Sequence, residues 1–553
     1  MGDIEKAIEE FKRKQLDVYR ADPQRIVRDT RGAERAAKDH AGRWLFELLQ
    51  NSEDACAPEV KIIVTGDTIY VADNGKGFKP EAVCSICGTD FSDKTSGTIG
   101  RKGIGFKSVY EVSSHPQLLT VSGEGVEFSP ERASEWLRQN SFDDRHVPYQ
   151  WIPFLIPWDV ARRQDPVLEE LKDYKTVIRL SGLSEERRQI VEQLLKEWPP
   201  HALFPFRNVR TIKAPNMEVV LAPGAGVWQI DDSRKQIPQF WFVVNPEPEY
   251  PPDKLMGTLG EEERNAIQMD GVSFLIAAPH IEDRITPTED YLPIHVFYPT
   301  DQKGPVRLLL HAEFLVKSDR TVLIPIEKGS LNEWVTDRLA HHVCGFVNNA
   351  FRSKNPSGHA ALLVPFDDRG SHPVAEKIWK LISDKAKADL RLADVEGNQR
   401  LSVGKANLIS VSIRPELART LLESTKLWGQ LLHREFDDDK EARKALKELG
   451  CKEIHDQDLM DILAENADSR SDTEWIWSCW EWLADWVAQE PYGDKHKERV
   501  SRVRLLPIVP VDGRLCKPAD LETHIVTWKP EGHVEHLPDW LPLTFVEDWF
   551  RDR

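Results

Sequence analysis

Apolar residues at the start of the chain recur with helical spacing. Ile4, Ile8, Phe11 and Leu16 predict an amphipathic helix from Asp3 to about Tyr19. A longer helix is predicted from Ala33 to Ala55, through AERAAKDHAGRWLFELLQNSEDA, with Pro58 as its stop. The pattern then shortens to two strand-like runs, KIIVT (61–65) and TIYVAD (68–73), joined by Gly66-Asp67, a hairpin-turn signal. A polar, glycine-rich stretch from Gly88 to Gly105 follows. Alternating strand and helix patterns then run through KTVIRL (175–180) and a helix near 184–198 to about Ile212. Residues 1–212 read as one α/β domain.

Residues 213–355 carry short β-rich runs separated by prolines (MEVVLA, FWFVV, SFLIAA, HVFYPT, VRLLLHAEFLV) and a helix near 330–351. They read as a β-rich α/β middle domain. Helical patterns dominate residues 356–553, where ten of the eighteen tryptophans lie beyond residue 370. Trp475, Trp477, Trp480, Trp482 and Trp486 crowd one segment, which reads as core or partner surface. LRLADVEGNQRLSVGKANLI (390–409) resembles VRLLPIVPVDGRLCKPADLETHIV (503–526) about 114 residues later. Each reads as a hairpin with an Asp/Gly turn, so this region is expected to be a mainly helical scaffold with two hairpin repeats.

Composition narrows the function. Lys and Arg total 73 against 91 Asp and Glu, a formal charge of −18, which repels phosphate backbones and argues against direct nucleic-acid binding. No apolar run approaches the roughly 18 residues a membrane helix needs. The opening MGDIEKAIEEFKRKQ mixes charges without an apolar stretch, so no signal peptide is expected. Seven scattered cysteines do not suggest a disulfide framework, and the expected compartment is the cytoplasm.

Three blocks carry chemistry. Glu47, Asn51 and Asp54, at spacings of four and three, share one helix face. Asn51 offers a neutral oxygen to Mg²⁺, and Glu47 can orient and deprotonate a water. In ADNGKGF (72–78), Asp73 ends a strand and can accept a hydrogen bond from an exocyclic amine, while Gly75 and Gly77 let the backbone turn sharply. In GTIGRKGIGFKSVY (97–110), Gly100, Gly103 and Gly105 free backbone N–H groups for phosphate oxygens ahead of a helix start. Their order fits neither the Rossmann fingerprint nor a Walker P-loop.

In this order and spacing the three blocks resemble the N-box and the two glycine boxes of the GHKL ATPases, with Thr176 in YKTVIRL at the place of the late-strand threonine. DHAGRWLFELLQNSEDA, SDKTSGTIGRKGIGFKSVYEVS and LFPFRNVRTI look most like the sacsin and NO VEIN group within that superfamily. The resemblance covers about residues 15–210. It implies a Bergerat-type α/β sandwich holding ATP and Mg²⁺. By position, Glu47 would activate water, Asn51 would ligate Mg²⁺ and Asp54 would sit beside them. Asp73 would bind the adenine amino group, with Gly75, Gly77 and Phe78 beside the base and Thr176 completing that site. Gly100, Arg101, Lys102, Gly103, Ile104, Gly105 and Phe106 would form the phosphate loop and lid. A catalytic cation from the second domain is expected in FLVKSDRTVL (314–323), with Arg320 first and Lys317 second.

The resemblance implies Mg²⁺-dependent ATP binding and slow hydrolysis, with lid closure rearranging the downstream domains in a chaperone-like or host-defence module. The alternative is a protein-interaction switch gated by ATP without hydrolysis. ATP-dependent homodimerisation, with the helix near 3–19 as a packing element, and a protein partner on the C-terminal region are further expectations. A histidine kinase would need a phosphoacceptor ahead of the site, where His40 is the one histidine and lies inside the N-box helix. A topoisomerase-like or mismatch-repair-like machine would need a basic face. Cys84-x-x-Cys87 reads as packing, His341, His342 and Cys344 as structural, and EFDDDKEARK (435–444) as a solvated helix start.

Overall fold

The computed structural model describes residues 2–39, 44–80, 82–87, 105–317, 321–423, 425–466, 473–511, 514–521, 525–528 and 543–546. They fall into two compact units: Met1–His342 with Asp368–Ile378, and Val343–Asp367 with Trp379–Arg553.

The first unit opens with helices α1 (Asp3–Ala21), α2 (Gln24–Asp39) and α3 (Trp44–Asp54). The single helix expected over 33–55 is thus described as α2, which begins earlier, and α3. His40 lies outside the described residues. The apolar face of α1 is used within the chain, since Ile4 and Ile8 are buried in the same core as α3.

Fifteen described strands join one sheet. The first seven are β1 (Glu59–Thr65), β2 (Thr68–Asp73), β3 (His115–Thr120), β4 (Glu124–Glu127), β5 (Phe154–Pro157), β6 (Thr176–Ser181) and β7 (Thr211–Ala214). β8 (Met217–Ala222), β9 (Val227–Asp232), β10 (Gln239–Val244) and β11 (Phe274–Ile281) come next. The two-residue β12 (Arg284–Ile285), β13 (Pro293–Val296), β14 (Tyr298–Lys303) and β15 (Leu309–Ala312) complete it. The order is β14-β13-β15-β11-β10-β9-β8-β7-β1-β2-β6-β3-β4-β5, with β12 paired to β11. β1 and β2 form the expected hairpin, with Gly66 at φ +56° in the turn. β1 then pairs parallel with β7, so the sheet continues across residue 212 into the middle region.

All six residues of β2 are buried because both sheet faces are covered. Ile69 and Val71 face the core shared with Leu45, Leu48 and Leu49 of α3. Tyr70 and Ala72 face the other way, against Trp158, Leu168 and Leu171. Period-two alternation therefore turns Asp73 toward the side of α3.

The second unit is mainly helical. Trp475, Trp482 and Trp486 on the helix Thr473–Ala488 are buried, and the Trp475 indole N–H donates to the Leu421 carbonyl at 3.2 Å. These three are core, with Trp480 half-buried against them. The two similar sequence segments share an element order. Strands Arg391–Ala393 and Gln399–Ser402 pair antiparallel, a 3₁₀ turn follows, and Asn407–Ile409 pairs parallel with Lys452–Ile454. Strands Val509–Val511 and Arg514–Cys516 repeat the hairpin, followed by a 3₁₀ turn and Ile525–Trp528, parallel to Leu543–Val546. In EFDDDKEARK, Asp439 caps the helix Lys440–Glu448 by accepting from the Ala442 N–H at 2.9 Å.

Candidate functional site

Four apolar residues of α3 (Trp44, Leu45, Leu48 and Leu49) are at most 2% exposed, and each such burial is worth about 1.5–3 kcal/mol. That anchoring sets the helix rotation, leaving Glu47 buried at 4% exposed with Asn51 and Asp54 half-buried further along. α3 ends before Pro58. The Ala57 N–H donates to the Ser52 carbonyl and the Cys56 N–H to the Glu53 carbonyl, with Cys56 at φ +57°. This is a Schellman ending with cysteine at the left-handed position where glycine is usual.

The end of β2 meets that last helical turn. Asp73 is 7% exposed; its Oδ1 accepts the Gly75 N–H at 2.9 Å and its Oδ2 the Ser52 hydroxyl at 3.4 Å. Burial pushes the Asp73 carboxyl above the ordinary aspartate range, against the pull of these two donors. Gly75 is required by space, because a Cβ there would lie 2.6 Å from the Ala55 carbonyl oxygen. That oxygen also accepts the Lys76 N–H at 2.8 Å. Gly77 is required by conformation, with φ +81°. Phe78, half-buried, packs against the core. Thr176, 7% exposed, lies opposite Asp73 in the β2–β6 register.

Beyond the second glycine block, Gly105 opens a 3₁₀ helix, Gly105–Glu111, where an α-helix start was expected. Phe106 is buried against Tyr110 and Phe128. Lys107 is 1% exposed, its ammonium 3.2 Å from the Trp151 ring centroid, a cation–π contact that lets a charged group sit deep in the core. Gly100, Arg101, Lys102, Gly103 and Ile104 lie outside the described residues, as does Arg320. Lys317 is exposed, and its backbone N–H donates to Val322 at 2.9 Å.

Sequence reading missed Ser52, Glu53 and Lys107. Ser52 and Glu53 lie within NSEDA, but neither has a periodic signature. Their partners, Asp73 and the segment Arg207–Val209, meet α3 only in the folded chain.

Residues 43–128 match the family described as histidine kinase-, DNA gyrase B- and HSP90-like ATPases. Residues 43–128 are thus a GHKL-type ATPase domain by sequence. The chain is also similar to Protein NO VEIN of Arabidopsis thaliana, with 39% identity over 82 residues. That match covers 14% of this chain and 3% of the length of Protein NO VEIN.

The GHKL-type domain thus brings Asp73, Thr176 and the Gly75–Gly77 turn together beside the last turn of α3, with Glu47 and Asn51 on that same helix. For Mg²⁺, a half-buried amide oxygen fits a hard cation that takes one or two protein oxygens and completes its shell with water and phosphate. Among the described residues there is no cluster of three or more His, Cys, Asp or Glu side chains suited to a fully protein-held metal. Among them also, no helix is long and apolar enough to cross a membrane.

Proposed function

We propose that the GHKL-type domain binds ATP with Mg²⁺ and hydrolyses it slowly, and that closure of its lid rearranges the downstream domains in a chaperone-like or host-defence module. The buried Asp73, opposite Thr176 and directly ahead of a glycine turn pressed against α3, carries the reading. A carboxylate there suits the adenine amino group, with Thr176, Gly75, Gly77 and Phe78 around the base. Glu47 would orient and deprotonate the attacking water. Asn51 would hold Mg²⁺, which supplies charge neutralisation at the phosphate oxygens when bound, and Asp54, one turn beyond Asn51, would sit beside it at the nucleotide.

Gly100 to Gly105 would present backbone N–H groups to the phosphates. Arg320, or Lys317 in second place, would add the cation this chemistry lacks without a P-loop lysine. Closure and docking of that cation precede chemistry, so turnover would be low. The chain would divide at residues 212 and 355, with the C-terminal scaffold receiving a protein partner and ATP promoting a homodimer.

Nucleotide binding and phosphate release by wild type, Glu47→Ala and Asp73→Asn test this reading. Binding by wild type and Glu47→Ala, turnover by wild type alone, and no binding by Asp73→Asn support it. Binding without turnover in wild type replaces hydrolysis with an ATP-gated switch. No binding at millimolar ATP overturns it.

A further inference from the structure

We propose that Glu53 is a positioning residue for the adenine site; the inference rests on the ATP-binding reading above. Glu53 is 3% exposed, and its carboxylate is enclosed by donors from one distant segment. Oε1 accepts the Arg207 N–H at 2.8 Å, the Asn208 N–H at 2.9 Å and the Asn208 side-chain amide at 2.8 Å. Oε2 accepts the Asn208 N–H at 2.9 Å and the Val209 N–H at 2.8 Å. Several donors gathered on one buried carboxylate make a rigid joint, because breaking any of them leaves a desolvated polar group.

The same helical turn holds the adenine loop on its other side. Ser52 donates to Asp73, and the Ala55 carbonyl accepts the Lys76 N–H and leaves no room for a side chain at Gly75. Residues 52–55 are therefore held between Asp73–Lys76 and Arg207–Val209. The second of these segments runs straight into β7 and the strands beyond it, and Arg210 and Thr211 both donate to the Pro58 carbonyl. Arg207 and Arg210 also line a cavity of about 500 Å³ with Trp228, Ser273 and His311. Glu53 thus ties the turn that places Asp73 to the entry of the middle strands. A carboxylate serving folding alone would alter stability without altering the affinity of the folded protein for nucleotide.

The test compares full-length wild type with Glu53→Gln, which replaces one acceptor oxygen by an amide facing N–H donors. ATP·Mg²⁺ affinity by titration calorimetry, kcat and KM for phosphate release, and Tm are measured together. The expected result is ATP binding weakened by about tenfold in the folded population, with kcat at saturation changed less than about threefold. A lower Tm with unchanged Kd and KM overturns the proposal and leaves Glu53 a purely structural group. If Glu53→Gln does not fold, Asn208→Ala removes one side-chain donor and keeps the backbone donors; a weaker Kd there supports the proposal and an unchanged one overturns it. Failure of wild type to bind ATP overturns the ATP-binding reading itself, and this inference with it.

Discussion

Asp73 and Thr176 stand opposite each other across the antiparallel pair of β2 and β6, both buried on the side of the sheet that faces α3. The Lys175 N–H donates to the Asp73 carbonyl at 2.8 Å and closes the pair beyond the last rung. A slip of one residue in this register would turn Asp73 to the face occupied by Tyr70 and Ala72. The candidate adenine site is thus a property of sheet register before it is one of side-chain chemistry.

Asp73→Asn is expected to keep the fold and lose nucleotide. The amide oxygen can still accept from Gly75 and the amide nitrogen can donate to the Ser52 hydroxyl, so both local contacts survive. Circular dichroism should match wild type while calorimetry shows no ATP binding. Retained binding would remove Asp73 from the adenine site.

The pH dependence of stability should follow the same carboxyl. Burial raises its folded pKa above the unfolded value, so the folded chain holds that proton more tightly. Its favourable contribution is fully present below the ordinary aspartate value of about 3.9 and is lost as pH rises through the raised folded value. Without nucleotide, Asp73→Asn should therefore melt higher than wild type at neutral pH, and the difference should shrink toward low pH. A wild type that melts higher at neutral pH would mean that the Gly75 and Ser52 donors outweigh burial.

Gly75→Ala should destabilise the domain by about 1–3 kcal/mol, the usual cost of overpacking, because the new methyl meets the Ala55 carbonyl oxygen at 2.6 Å. Gly77→Ala meets no atom within 4 Å but must hold φ +81°, so its cost is conformational, about 1–2 kcal/mol. Denaturant unfolding of both variants checks this. A neutral Gly75→Ala would show that the turn can move away from α3.

In the second unit, Trp475→Ala removes a side chain 1% exposed and a hydrogen bond to Leu421, and should cost about 3–5 kcal/mol. Tyr492 is 87% exposed, and its replacement by alanine should stay within about 0.5 kcal/mol. Equal effects in denaturant unfolding would contradict the assignment of the tryptophan segment as core.

Much of the architecture was readable locally. The Gly66-Asp67 hairpin, the helix at Asp3–Ala21, the turn after Asp73 and the duplicated strand–turn–strand segments near 391 and 509 all appear as sequence implied. Each depends on neighbours a few residues apart, whose spacing and turn chemistry leave a mark in the sequence. The start of α2 at Gln24, ahead of the expected start at Ala33, was not anticipated.

The sequence by itself determined that Glu47, Asn51 and Asp54 share a helix face and that Asp73 ends a strand before a flexible turn. Tertiary structure alone decided that Thr176 lies opposite Asp73, that Gly75 is pressed against Ala55, and that Arg207–Val209 close around Glu53. These contacts join segments far apart in the chain. Periodicity reports which side of an element is buried, whereas its partner is chosen by sheet register and by the need to satisfy buried polar groups once the core has closed.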